Sequence, residues 1–248
     1  MQEDAFSLVV LGSVDSTNNY AMQKVHAGMA KHGDGYFAHE QTQGKGQRGK
    51  SWHTANGKNI VLTIVLEPVS AKLLQPFHLS VAVALASYDL FKKYAGSDAS
   101  GDAKIKWPND IYWGDRKAGG ILIENVLRGN EWKWAIAGIG ININQDEFSQ
   151  EIKNPVSLKQ LTRQEFDVIG LATELQELVM QRVNEPFPKL LEEYNSHLYK
   201  KNEKTVLRYK DELITTTIKG VAENGQLICF SEKEQRYDFG EIEWLISN

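Results

Sequence analysis

Cysteine is almost absent from the sequence, and its scarcity excludes two classes of site. The single Cys229 cannot form an internal disulfide or a cysteine-rich zinc site. The six histidines show no metal-ligand spacing, so we predict no structural metal. A lone thiol also fits a reducing compartment, and we therefore predict a cytoplasmic location.

Long apolar runs and excess positive charge are lacking as well. The first apolar segment, Phe6 to Gly12, is too short for a secretory signal and follows the acidic Glu3 and Asp4. No stretch approaches the roughly 20 apolar residues of a membrane helix, so no membrane partner is expected. The 28 Lys and Arg residues against 32 Asp and Glu give a net charge of −4. This balance supplies no overall attraction to nucleic acid.

The remaining composition, 42% apolar and 24% charged, is typical of a folded domain. Strand patterns lie at 7–11, 36–40, 59–66, 104–107, 111–113, 120–127 and 132–143, and helical patterns lie at about 15–29, 77–94, 165–184 and 186–199. This mixture predicts an α+β fold in which helices pack on a mixed β-sheet.

The pattern changes near residue 200. Short alternating segments follow at 205–209, 215–221, 226–229, 236–239 and 242–246, which is typical of a small β-barrel. We therefore predict two domains, one at 1–200 and one at 201–248.

The segment Glu40 to Trp52 combines glycines with cations: Gly44, Gly46 and Gly49 alternate with Lys45, Arg48 and Lys50. Glycines allow backbone amides to converge on an anion, which the cations neutralise. The segment matches neither a P-loop nor a dinucleotide fingerprint. A phosphate-binding loop and a flexible solvated loop are equally consistent with it.

A second segment, Lys104 to Glu124, places Lys117 seven residues after Asp110 across a predicted hairpin. A lysine there can contact a phosphoryl or carboxylate oxygen, and the aspartate can orient an amine or a hydrated magnesium ion. Spacing alone favours a simpler interpretation, an ion pair on the surface.

A third segment, Ala137 to Asn144, is an apolar strand with two glycines that ends in asparagines. Strand-end amides suit ligand contacts. Because a turn would explain Asn144 equally well, Asn142 is the better candidate.

Together these segments resemble the biotin–protein ligase family in order and approximate spacing, and the similarity covers most of residues 7–165. The matching motifs are the loop Gly44 to Gly49 followed by Trp52, Lys106 to Asp110 (Lys-Trp-Pro-Asn-Asp), Lys117 to Leu122, Gly140 to Asn142, Ser16 to Asn18 and Val156 to Leu158.

The resemblance implies a fold like that of class II aminoacyl-tRNA synthetases and biotin–lipoate ligases, with an SH3-like C-terminal barrel. It implies an enzyme that forms biotinyl-5'-AMP from biotin and ATP with Mg²⁺, then transfers biotin to a lysine of a biotin carboxyl carrier protein. Family members often pair through a sheet edge, so the resemblance also allows a homodimer. Because Ser16 lies so near the start, we expect no DNA-binding winged helix and no repressor function.

Site residues carry over from the family by motif. The biotin site would comprise Ser16, Thr17, Asn18, Gln41, Gly46, Arg48, Lys117 and Gly120. The nucleotide site would comprise Gly44, Lys45, Gly46, Gln47, Arg48, Gly49, Trp52, Asn109, Lys117 and Asn142. The catalytic residues would be Lys117, Asp110 and Arg48, with Asp110 serving the transfer to the amine.

One position departs from the family pattern. Gln47 stands where many members have arginine, so the loop has one cation fewer with which to retain an adenylate. Two alternatives stay open: a lipoate or octanoate ligase, and a biotin-sensing or protein-binding module without catalysis.

Overall fold

The computed structural model describes residues 6–71, 73, 75–96, 102–149 and 153–245. Its elements, in chain order, are β1 (Leu8–Val14), α1 (Thr17–His26), β2 (Gly35–Gln41), β3 (Ile60–Leu66), α2 (Pro76–Ala95), β4 (Ala103–Lys106), β5 (Asp110–Trp113), β6 (Arg116–Arg128), β7 (Glu131–Ile141), α3 (Leu158–Thr162), α4 (Val168–Arg182), α5 (Phe187–Ser196), β8 (Lys204–Tyr209), β9 (Glu212–Val221), β10 (Leu227–Phe230), β11 (Glu234–Tyr237) and β12 (Ile242–Trp244). The predicted α+β class is confirmed.

The first seven strands form one mixed sheet in the order β1-β2-β3-β7-β6-β5-β4. β1 and β2 run parallel, joined by α1, and the other neighbours run antiparallel. Every residue of β3 is buried, because this central strand is covered on both faces.

Side chains alternate along a strand, so β3 serves two environments. Leu62 and Ile64 join the main core with α2 and α4. Val65 joins a smaller cluster with Ala21 and Val25 of α1. We call this second side of the sheet the α1 face.

Helix α2 is the largest element of the core. Its first residue is Pro76, which suits a helix N-terminus. Its last residue is Ala95, and the C-cap Gly96 has a φ of 73°, which glycine readily adopts. Leu79, Leu85 and Leu90 are fully buried. This layer closes the face opposite α1.

The last five strands form a separate antiparallel sheet in the order β11-β10-β9-β8-β12. It is consistent with the predicted SH3-like barrel, and the predicted boundary at 200/201 stays a prediction. The predicted strand end at Ile246 lies outside the described residues.

Several elements differ from the predicted bounds by up to three residues, and two differ more. β6 begins at Arg116, four residues before the predicted start, and its pairing with β5 continues past a register shift to Lys117 and Arg116. The short helix α3 was not predicted; Ser157 caps it by accepting a hydrogen bond from the Gln160 amide. No helix within the described ranges is long and apolar enough to span a membrane.

Asn195 joins α5 to the second sheet. Its Nδ2 donates to the Val221 carbonyl at 3.0 Å, and its Oδ1 accepts from the Val221 amide at 2.7 Å. Val221 is 3% exposed, so these backbone groups have little access to water.

We expect Asn195→Ala to lower the free energy of unfolding by about 2–4 kcal/mol, because each buried polar group left unsatisfied costs about 1–3 kcal/mol. Urea unfolding monitored by circular dichroism measures this. Ser196→Ala, at an exposed neighbouring position, is the matched control and should change stability by less than about 0.5 kcal/mol. Equal effects of the two variants would contradict the bracing role of Asn195.

Candidate active site

A cavity of about 780 Å³ opens on the α1 face of the first sheet. It gathers the predicted site residues from separate segments of the chain, and only Gly44 and Gly49 do not line it. Its wall includes Ser16, Thr17, Asn18, Gln41, Lys45, Gly46, Gln47, Arg48, Trp52, Asn109, Asp110, Lys117, Gly120 and Asn142.

Two glycines of β7 create the space at the centre of this face. Gly140 is paired with Gly120 and Gly138 with Leu122 of β6. A Cβ at Gly140 would lie 2.4 Å from Trp52 Cε2, and one at Gly138 would lie 2.3 Å from Asn18 Oδ1. Side chains from α1 and from the glycine-rich loop therefore reach the sheet only because these positions lack a Cβ.

Asp110 and Lys117 form an ion pair inside the cavity. The Lys117 Nζ lies 2.6 Å from Asp110 Oδ1, and the two side chains are 29% and 15% exposed. A Cβ at Gly120 would lie 3.3 Å from both partners, so glycine keeps the space around the pair open. The surface-pair interpretation favoured by spacing alone is wrong, because both side chains lie in the cavity wall and are largely buried. The register shift between β5 and β6 passes over Ala118 and puts Lys117 on the same face as Gly120 and Asp110.

A buried polar network marks the start of α1, where Ser16, Thr17 and Asn18 are 2–4% exposed. The backbone amide and hydroxyl of Thr17 donate to Gln41 Oε1 at 2.8 and 3.1 Å. The Thr63 hydroxyl lies 2.8 Å from the Thr17 hydroxyl and 2.7 Å from Asn18 Oδ1. The Asn18 amide donates to Glu124 at 2.7 Å. These bonds fix the orientation of polar groups at one end of the cavity.

The glycine-rich loop, residues 44–52, is a closed turn. The Gly46 amide donates to the Lys50 carbonyl at 2.7 Å, and the Trp52 amide donates to the Gly44 carbonyl at 2.9 Å. A Cβ at Gly44 would lie 2.2 Å from the Trp52 carbonyl oxygen, and Gly49 has a φ of 74°. These two glycines shape the loop, which explains why they do not line the cavity.

Side chains of the loop point in three directions. Lys45 donates to Asn19 Oδ1 at 2.5 Å. Gln47 donates to the Ile121 carbonyl at 3.2 Å. Arg48, with a φ of 57°, donates to the Gly240 carbonyl at 2.6 Å.

Arg48 therefore reaches the second sheet. Its guanidinium also lies 5.7 Å from the centre of the Phe239 ring. The predicted biotin contact of Arg48 stays a prediction, and in this conformation the side chain links the loop to the segment between β11 and β12.

Asparagines brace the strands around the ion pair. The side-chain Nδ2 of Asn109 donates to the Ile121 carbonyl at 2.7 Å. The side-chain Nδ2 of Asn142 donates to the carbonyls of Lys117 at 3.3 Å and Val156 at 3.1 Å. Asn142 thus holds the backbone of Lys117, in addition to lining the cavity.

Trp52 lies against Gly140 with its indole near Lys117, whose Nζ is 5.9 Å from the ring centre. Its Nε1 is buried and has no hydrogen-bond partner among the described residues.

Several lining residues were missed by the sequence prediction. Lys106 belongs to the Lys-Trp-Pro-Asn-Asp motif but was not assigned to the site. Thr63 does not line the cavity, but its bonds position Thr17 and Asn18, and the sequence prediction gave it no role within the strand at 59–66. Phe239, in the segment between β11 and β12, and Trp244 of β12 lie far along the chain and belong to none of the motifs.

The cavity is cationic although the chain as a whole is acidic. Its basic lining residues are Lys45, Arg48, Lys50, Lys106, Lys117 and Lys153, and its acidic ones are Asp110, Asp115 and Glu243. This excess favours an anionic ligand. Within the described ranges, no group of three or more His, Cys, Asp or Glu side chains is placed to hold a metal ion.

Comparisons with known proteins agree with this geometry. Residues 10–142 match the model of the biotin/lipoate A/B protein ligase family. The bifunctional ligase/repressor BirA of Escherichia coli (strain K12) is 32% identical over 155 residues, which cover 62% of this chain and 46% of that protein. A biotin–[acetyl-CoA-carboxylase] ligase of Paracoccus denitrificans is 36% identical over 135 residues, 54% of this chain and 53% of that protein. The chain thus spans about half the length of these curated relatives.

Solved structures share the fold. A biotin protein ligase from Aquifex aeolicus, in complex with biotin and ATP, has a TM-score of 0.81 at 23% identity, covering 97% of this chain and 99% of that one. A Helicobacter pylori biotin acetyl coenzyme A carboxylase synthetase with bound biotinylated ATP has a TM-score of 0.65 at 22% identity, covering 94% of this chain and 100% of that one. Since the family model covers more than half of the sequence, the chain belongs to the biotin/lipoate A/B protein ligase family.

Proposed function

We propose that this chain is a biotin–protein ligase that activates biotin with ATP and transfers it to a lysine of a carrier domain. The observation that carries the proposal is the Lys117–Asp110 ion pair, at 2.6 Å, within a cavity whose wall also contains the glycine-rich cationic loop. A carboxylate and a phosphoryl group are both anionic, and the excess of cations suits their encounter.

In the first step, a carboxylate oxygen of biotin attacks the α-phosphorus of ATP. A new P–O bond forms, the bond to the leaving oxygen breaks, and pyrophosphate leaves with the electron pair. Lys117 would contact the biotin carboxylate and the α-phosphate, with Lys45 and Arg48 offsetting further charge.

The polar network at the start of α1 would hold biotin. Ser16, Thr17, Asn18 and Gln41 present fixed donors and acceptors, which suit the polar ring of biotin, and Gly46, Arg48 and Gly120 would complete the site. Buried polar groups held in fixed orientations give specificity, because a ligand that disturbs their hydrogen bonds without replacing them binds poorly.

The nucleotide would occupy the side of the cavity near Trp52. The Trp52 ring, whose centre lies 5.9 Å from Lys117 Nζ, supports this choice, and Asn109 and Asn142 line the same cavity. The loop residues Gly44, Lys45, Gly46, Gln47, Arg48 and Gly49 would close over the intermediate and exclude water, which otherwise hydrolyses a mixed anhydride.

In the second step, the neutral amine of the acceptor lysine attacks the acyl carbon. A C–N bond forms, the C–O bond to phosphate breaks, AMP leaves with the electron pair, and the amine releases a proton. Asp110, the carboxylate beside Lys117, would orient this amine.

Magnesium has no protein cage in the described residues, where no cluster of three or more acidic or histidine ligands occurs. A magnesium ion would have to be held mainly by the phosphates of ATP, whose charge it would offset. The carrier protein as acceptor, the homodimer, the cytoplasmic location and the lack of a repressor function also stay predictions.

The decisive experiment mixes the purified chain with magnesium-ATP and either biotin or lipoate, quenches the reaction and detects the acyl-adenylate by mass spectrometry. We expect biotinyl-adenylate. If only lipoyl-adenylate formed, the substrate would be lipoate and the proposal of biotin would be wrong. Biotin binding without any adenylate would instead support the biotin-sensing module.

Lys117→Ala should lower the rate of adenylate formation by about a hundredfold or more, because it removes a preorganised cation from the reacting oxygens. Release of pyrophosphate measures this. Lys133→Ala removes an exposed lysine of β7 that pairs with Glu131 and serves as the matched control. A change of only a few-fold in Lys117→Ala would exclude the proposed role.

Gln47→Arg should slow release of the adenylate about fivefold, because one added cation near a phosphate contributes about 1 kcal/mol. The difference should shrink as salt rises, since ions screen this attraction. Gln47→Met, which loses the bond to Ile121 without adding charge, is the control. Equal release by the two variants would show that charge at this position does not govern retention.

A further inference from the structure

Lys106 stands in the cavity beside the proposed reacting groups without an assigned role. It ends β4 and is paired across the sheet with Asp110, the first residue of β5. Its Nζ lies 3.9 Å from Asp110 Oδ2, while Lys117 Nζ lies 2.6 Å from Asp110 Oδ1. The carboxylate of Asp110 is therefore shared by two ammonium groups.

The second sheet covers Lys106. Its Nζ lies 5.7 Å from the ring centre of Trp244 in β12 and 5.0 Å from that of Tyr112 in β5. The Lys106 side chain is only 13% exposed. Two aromatic faces from different sheets thus confine its charged end beside Asp110.

Burial lowers the pKa of Lys106 to about 8. The charged groups that face it come from several elements. Asp110 and Glu243 raise the pKa, whereas Lys117 of β6 and Lys50 of the glycine-rich loop lower it. Lys106 is therefore charged near neutral pH and loses its proton within a range that a kinetic experiment can reach.

The side chains of Lys106 and Lys117 differ in how freely they can move. Lys117 is 29% exposed and has no aromatic cover from the second sheet, so it can turn toward a substrate oxygen. When it does, Asp110 loses its closer cation. A partly buried carboxylate without a cation is costly, and only Lys106 remains within 4 Å to compensate its charge among the described basic residues.

We propose that Lys106 is a positioning residue for the second step: it keeps the Asp110 carboxylate oriented toward the incoming amine while Lys117 is engaged with the adenylate, and Trp244 holds it there. This inference rests on the proposed function. The amine of the acceptor lysine, oriented by Asp110, then forms the C–N bond with the acyl carbon. The C–O bond to phosphate breaks, AMP leaves, and the released proton passes to solvent.

The test supplies chemically prepared biotinyl-adenylate and a purified biotin carboxyl carrier domain, so that only transfer is measured. We expect Lys106→Met to slow transfer by about tenfold to a hundredfold near pH 7, part of the roughly 10²–10⁴ that a positioned acid–base group contributes. Transfer should fall further than adenylate formation does. Lys106→Arg, which keeps the charge, should restore most of the rate.

The pH dependence separates a charge from a purely structural role. The ratio of the wild-type rate to the Lys106→Met rate should fall toward one as pH rises through the Lys106 pKa of about 8, because wild-type Lys106 then becomes neutral. Deprotonation of the acceptor amine affects both proteins equally and cancels in the ratio. Lys104→Met, two residues earlier on β4, controls for loss of a lysine from this strand and should transfer at the wild-type rate.

A second variant tests whether Trp244 of the second sheet shields Lys106 from water. Trp244→Leu exposes Lys106 to water, so its pKa should rise and the fall in the ratio should move to higher pH.

A ratio independent of pH would overturn the inference, as would a larger loss in adenylate formation than in transfer. If the wild-type chain transfers no biotin at all, the proposed function fails and the inference fails with it.

Discussion

The site depends on the absence of side chains at two alternate positions of one strand, which face the same side of the sheet. Gly138 and Gly140 of β7 leave the α1 face bare at its centre, and Gly120 continues the gap onto β6. Asn18 and Trp52 occupy places where a Cβ would otherwise lie within 2.3–2.4 Å. Because side chains alternate along β7, the same strand gives Ile139 and Ile141 to the main core. The cavity is therefore built without weakening the hydrophobic layer beneath it.

The sequence was most informative where function and backbone geometry act on the same residues. Glycines and cations in residues 44–52 predicted the glycine-rich loop that lines the cavity, whose binding of an anion stays a prediction. The run Lys106 to Asp110 with Lys117 predicted the ion pair, although spacing alone did not predict that it faces the cavity. That orientation required the register shift between β5 and β6, and no local pattern encodes it.

Contacts between distant segments could not be predicted. The bond from Arg48 to the Gly240 carbonyl joins positions 192 residues apart, and nothing at either end specifies the other. The role of Thr63 could not be predicted for a related reason. A single hydroxyl in an apolar strand does not indicate its partners, and the fold brings Thr17 and Asn18 of α1 against it. Alternation predicts which face a side chain takes, but the topology decides what it meets there.

The second sheet supplies part of the cavity wall through Phe239, Gly240 and Trp244. A ligand that fills the cavity would touch both sheets at once and would bind only when they are docked. Its binding free energy would then enter the stability of their junction. A bound ligand would therefore stabilise the docked arrangement of the two sheets. The second sheet would separate most readily in the protein without ligand.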